Sequence, residues 1–96
     1  RFFLGSQVQI HIGQKDYLGS VGTIGLGGLS FSSQAALKLG HTLQLSVAGP
    51  DGIEQISVDG QVVWMTNNNS YGVKFMNTAE DTLVKISSWS QKLKKA

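Results

Sequence analysis

The chain contains no cysteine. Disulfides and thiolate metal sites are excluded, and the chain is compatible with a reducing cytosol. Charge is scarce as well: Asp, Glu, Lys and Arg make up 15% of the residues, against about 25% in typical domains. Arg1 is the one arginine. No apolar run approaches the ~20 residues that a membrane-spanning helix needs, and no signal-peptide pattern opens the chain. The net charge of +2 rests on Lys92, Lys94 and Lys95, and the remainder is close to neutral. Bulk charge therefore implies no nucleic-acid surface. His11 and His41 have no carboxylate or thiol neighbours at ligand spacing, so no metal site is expected. The spacing places no Ser-His-Asp set and no paired carboxylates together, so the chain reads as a non-enzyme.

Ser, Thr, Asn, Gln and Gly fill the space that charge leaves, with Gly at 12 of 96 residues. That composition suits an all-β domain with many turns better than a helical bundle. The length makes one domain, residues 1–96, able to bury roughly 65% of its unfolded surface. The abrupt start at Arg1 fits a domain cut from a longer protein. Val8–Ile12 alternates apolar and polar residues, the mark of a half-buried strand. Tyr17–Ile24 reads as a second strand and Leu29–Phe31 as a short third. Ala35, Ala36, Leu37 and Leu39 predict a helical turn over Ser32–Gly40, with Ser32 or Ser33 as its cap. His41–Val47 alternates again, and Gly49–Gly52 is a strong turn signal. Ile53–Met65 is a long β stretch in which Gly60 suggests a bulge or bend. Tyr71–Phe75 is the last strand. Ala79–Lys94 is an amphipathic helix: Thr78 and Asp81 stand in capping-box positions, and Leu83, Ile86, Trp89 and Leu93 recur at helical spacing. Six or so short strands and one terminal helix predict a small antiparallel barrel or sandwich.

The densest glycine stretch is Val21–Leu29. Glycine there serves either a ligand surface or a tightly bent corner, since it allows close approach of the backbone. The stretch lacks the Lys-Ser/Thr and long helix of a phosphate-binding P-loop.

Three blocks resemble the PilZ domain family, bacterial receptors for cyclic di-GMP. Gly19–Leu29 resembles G-x-V-x-D-I-S-x-G-G-L. Leu39–Leu45 resembles L-x-x-G-x-x-L-x-L. Gly60–Trp64 followed by Tyr71–Phe75 resembles G-x-V-V-W…Y-G-V-x-F. The resemblance implies a mainly β fold, a six-stranded antiparallel PilZ-like β-barrel over about residues 7–76 with a C-terminal α-helix over about 79–94.

The family grips cyclic di-GMP with R-x-x-x-R and D/N-x-S-x-x-G. Arg1 is the one candidate for the first motif, and Leu4 stands where its second arginine is expected. The second motif falls on Thr23–Gly28, where Thr23 replaces the Asp or Asn, Gly25 replaces the Ser, and Gly28 alone matches. Each lost charge-assisted hydrogen bond costs about 1.5–3 kcal/mol. Two or three such losses weaken binding roughly a thousandfold or more. The chain thus resembles a degenerate PilZ member. Its implied role is that of a non-catalytic, cytoplasmic regulatory module in cyclic di-GMP signalling. It needs no cofactor, and it acts through a protein partner met by Phe2, Phe3 or Trp89. The alternative is a working cyclic di-GMP receptor using Arg1, Thr23, Gly25 and Gly28.

Overall fold

In the computed structural model, residues 2–94 are described. The elements are β1 (Phe2–Phe3), β2 (Gln7–Ile12), β3 (Lys15–Ile24), β4 (Gly28–Ser33), β5 (Thr42–Ala48), β6 (Gln55–Met65), β7 (Ser70–Met76) and α1 (Glu80–Lys94). Strands pair in the order β3-β2-β5-β6-β7-β4, and β4 returns to β3, so six antiparallel strands close a barrel. The short β1 pairs outside this ring, against the end of β3. Closure removes the free edges that would otherwise invite strand addition.

Alternation along the strands decides what the barrel encloses. Val8, Ile10, Leu43, Leu45, Val47, Ile56, Val58, Val62, Tyr71 and Val73 are buried in one core. Each Val, Leu or Ile among them contributes about 1.5–3 kcal/mol on burial. α1 supplies Ile86 and Trp89 to the same core, Trp89 being fully buried. The Trp89 indole lies against Gly49, where a Cβ would stand 2.8 Å from the ring. At the far end of the helix, the Lys92 ammonium meets Glu54 at 3.2 Å and Asp51 at 3.8 Å.

Two local expectations are corrected. Ser32–Gly40 forms no helix: Ser32 and Ser33 complete β4, and the following segment runs without helical hydrogen bonds. Ala35 and Leu37 alternate inward there, as they would in a strand. The backbone is satisfied by side chains instead. The Tyr71 hydroxyl donates to the Ala35 carbonyl at 2.7 Å and accepts from the Leu37 amide at 3.4 Å. The Ser33 hydroxyl accepts the Ala35 amide at 3.2 Å. Gly60 is not a bulge: it pairs regularly with Leu43 and Phe75. Its missing side chain makes room for Val73 on the neighbouring strand. The helix starts at Glu80, and the Leu83 amide donates to the Ala79 carbonyl, while the Asp81 carboxylate accepts the Thr82 amide at 3.0 Å.

Candidate nucleotide-binding face

The residues that the motif reading singled out converge on one region, where β1 meets β3 and β3 meets β4. Here β3 carries a bulge. Val21 pairs with Phe31 and Ile24 with Leu29, so Gly22 and Thr23 together oppose Ser30. Such a bulge frees a backbone group from the ladder and re-aims side chains. Ser30 compensates for the disruption. Its hydroxyl accepts the Thr23 amide at 3.0 Å and meets the Thr23 hydroxyl at 3.0 Å. The side chain standing in the motif's Asp/Asn position is therefore already engaged within the barrel wall.

The remaining motif positions also have structural roles. Gly28 is buried against β7, where a Cβ would collide with the Val73 carbonyl oxygen. The Gly25 amide donates to the Gly28 carbonyl at 2.9 Å, and the Phe75 amide donates to Gly27 at 2.9 Å, so the loop is pinned to two strands. Leu4 is only 8% exposed and belongs to the core. Its amide donates to the Gly22 carbonyl at 2.8 Å, which ties the N-terminal segment directly to the bulge. Arg1 lies outside the described residues. Phe2 is half-buried and Phe3 is 71% exposed. Trp89 offers no surface to a partner while α1 is docked, because the barrel end encloses it.

The outer wall beside the bulge holds a cleft of about 430 Å³. Its floor is Ser20, Gly22, Ser30, Ser32 and Ser70, with Phe3 and Trp64 among its walls. Trp64 reaches this face through a second bulge. Val62 pairs with Val73 and Trp64 with Gly72, leaving Val63 as the extra residue of β6. In a regular strand Trp64, two residues after the inward Val62, would point inward as well. With the bulge, the indole lies over Gly72, where any Cβ would overlap the ring, and Trp64 is 41% exposed. The V-V-W run could not reveal this shift, although a glycine opposite a tryptophan is its signature.

A second cleft, of about 460 Å³, adjoins the first and shares Ser20 and Ser32 with it. Its other lining includes Gln7, Gln34, Asn68 and Asn69. No charged side chain lines either cleft among the described residues.

Further along the outer face of β2, residues of three strands meet. His11 Nδ1 lies 2.6 Å from Asp16 and Nε2 lies 3.3 Å from the Ser46 hydroxyl. Strand register creates this set, since Asp16 faces His11 across the β2–β3 hairpin and β5 brings Ser46 alongside. Ser46 pairs with Gln9 on one side and Ser57 on the other. Its amide is thus committed to the ladder and cannot serve a developing oxyanion. The set braces three strands at the surface. Among the described residues, no group of three or more His, Cys, Asp or Glu could hold a metal ion. No helix among them is long and apolar enough to cross a membrane.

A closed six-stranded barrel with a helix at one end and its clefts on the outer wall defines a small binding module. The model of the PilZ domain family matches residues 1–91, and the chain belongs to that family. The crystal structure of the PilZ domain of CeSA from a cellulose-synthesizing bacterium is similar in fold, with a TM-score of 0.68 and 14% identity. That match covers 93% of this chain and 92% of the other. No curated protein matches the chain. Family membership makes this a module of cyclic di-GMP signalling, and PilZ domains are generally non-catalytic.

Proposed function

We propose that this PilZ domain is a non-catalytic regulatory module of the bacterial cytoplasm that has a weakened hold on cyclic di-GMP and acts through protein contacts. The burial of Leu4 carries this reading. Arginines bind the dinucleotide because a planar cation stacks on guanine and pairs with phosphate. An apolar side chain inside the core does neither. The engagement of Thr23 with Ser30 supports the same reading, and so does the absence of a hydroxyl at Gly25. Phe2 and Phe3 are the candidate contacts for the protein partner, and Phe3 presents most of its ring to solvent.

The second reading, a working receptor, is favoured by the open cleft beside the Thr23–Gly28 loop. Calorimetric titration of the chain with cyclic di-GMP separates the two. The interaction-module reading expects a dissociation constant well above the micromolar range. Binding tighter than ~10 μM, abolished by Arg1→Ala, overturns it in favour of the receptor.

A further inference from the structure

The partners of His11 are arranged as they are around an assisted nucleophile. Asp16 Oδ1 lies 2.6 Å from Nδ1, and the Ser46 hydroxyl lies 3.3 Å from Nε2. A carboxylate accepts only from a ring nitrogen that carries a hydrogen. Asp16 therefore holds the hydrogen of the neutral ring on Nδ1 and leaves the Nε2 lone pair towards Ser46. In that state the hydroxyl donates to Nε2, and the imidazole is set to take its proton. Strand register supplies the geometry. Asp16 faces His11 across the β2–β3 hairpin, and β5 holds Ser46 alongside, opposite Gln9. His11 and Ser46 are each half-buried, so the hydroxyl is within reach of a reagent from solvent.

We propose that Ser46 is a site of covalent acylation, with His11 as its general base and Asp16 as the residue that orients the ring. The donor is an ester or thioester of a small acyl group that bears a good leaving group. The Ser46 oxygen attacks the acyl carbonyl, and the hydroxyl proton passes to His11 Nε2. The bond from the acyl carbon to Ser46 forms, and the bond to the leaving group breaks. The leaving group departs with the bonding pair, and the proton leaves His11 for it or for water, which restores the neutral ring. The Ser46 amide is held in the ladder and gives no help to the oxyanion. The donor must therefore arrive already activated, and the acyl group stays in place. Ser46 is modified once and does not turn over, in keeping with a non-catalytic module. Acylation removes the hydroxyl hydrogen, so the bond from Ser46 to His11 is lost and the brace between β2 and β5 is released.

Ser57 provides an internal control. It faces Ser46 across the β5–β6 ladder and is the more exposed of the two. Among the described residues no histidine bonds to it. The chain is treated with p-nitrophenyl acetate, and the acetyl groups are located over time by peptide mass spectrometry. Ser46 is expected to acquire acetyl about a hundredfold faster than Ser57, the low end of what a positioned base contributes. His11→Gln should bring Ser46 down to the rate of Ser57. Asp16→Asn should slow Ser46, and Asp16→Glu, which restores the carboxylate, should recover part of the rate. Circular dichroism and the acetylation of lysines should stay as in the parent throughout.

Equal labelling of Ser46 and Ser57 overturns the proposal, and that comparison needs no variant. Labelling of Ser46 that survives His11→Gln overturns it as well. So does release of nitrophenol with no acetyl retained on Ser46, which would make His11 itself the nucleophile. An Asp16→Glu chain as slow as Asp16→Asn would strip Asp16 of its orienting role.

Discussion

Gly28 lies against Val73 so closely that a side chain on the glycine would collide with the valine carbonyl oxygen. The two residues sit on β4 and β7, one of the seams that close the barrel. The glycine shared with the nucleotide motif is therefore required by the fold whether or not a ligand binds. Gly28→Ala is expected to destabilise the chain by about 1–3 kcal/mol, the usual cost of overpacking, as measured by urea denaturation. A variant as stable as the parent would show that β4 and β7 can separate, and would return Gly28 to a ligand role.

Leu4→Arg restores the missing arginine in name only. The position is in the core and its amide is bonded to Gly22. An unpaired charge buried there costs several kcal/mol. The variant should lose thermal stability and gain no heat with cyclic di-GMP in calorimetry. A folded Leu4→Arg chain that binds the dinucleotide would mean that the N-terminal segment swings free of the barrel.

Ser30→Ala removes the hydroxyl that meets the amide and the hydroxyl of Thr23 at the bulge. The site is part-buried, so a loss of about 1–3 kcal/mol is expected. Hydrogen exchange should rise at the Thr23 amide above any global change. Unaltered exchange there would assign the bulge's rigidity to the chain's backbone rather than to Ser30.

Asp51 gives the fold an acid-sensitive corner. The amides of Ile53 and Glu54 donate to its carboxylate at 3.0 and 3.2 Å, and Lys92 lies nearby. The Ile53 amide, then that of Glu54, holds the carboxyl below its ordinary pKa, with Lys92 adding to the effect. A pKa that is lower in the folded chain gives stability above the unfolded value, and that stability disappears as pH falls through the folded one. Below about pH 4 the β5–β6 turn should loosen, with Ile53 and Glu54 amide resonances shifting in an NMR titration. Asp51→Asn should abolish that transition. A transition that persists in Asp51→Asn would place the acid-sensitive group elsewhere.

The barrel and its helix were legible because alternation in Val8–Ile12, Leu43–Val47 and Tyr71–Phe75 reports directly on a half-buried sheet. Ser32–Gly40 misled because Ala35 and Leu37 favour helices locally, while Tyr71, a residue distant in sequence, satisfies their backbone in an extended form. Gly28 and Leu4 could be placed at motif positions from the chain alone, but not their packing against Val73 and the core. The bulges were hidden for another reason. Two residues opposing one is a property of strand pairs, and no single strand records it. Both bulges lie on the candidate face, beside Thr23 and Trp64. The His11, Asp16 and Ser46 set escaped notice on the same ground, because register brought it together.

Closure of the ring through β4 has a consequence for the order in which the chain matures. β4 pairs with β3, which precedes it, and with β7, which is made some forty residues later. On the ribosome the early hairpins can form as they emerge, yet β4 keeps a bare edge until Ser70–Met76 has left the exit tunnel. Only then can Trp89 seal the end. During that interval the nascent chain exposes the strand and apolar interior that the finished domain hides, and it is then that chaperones have most to protect.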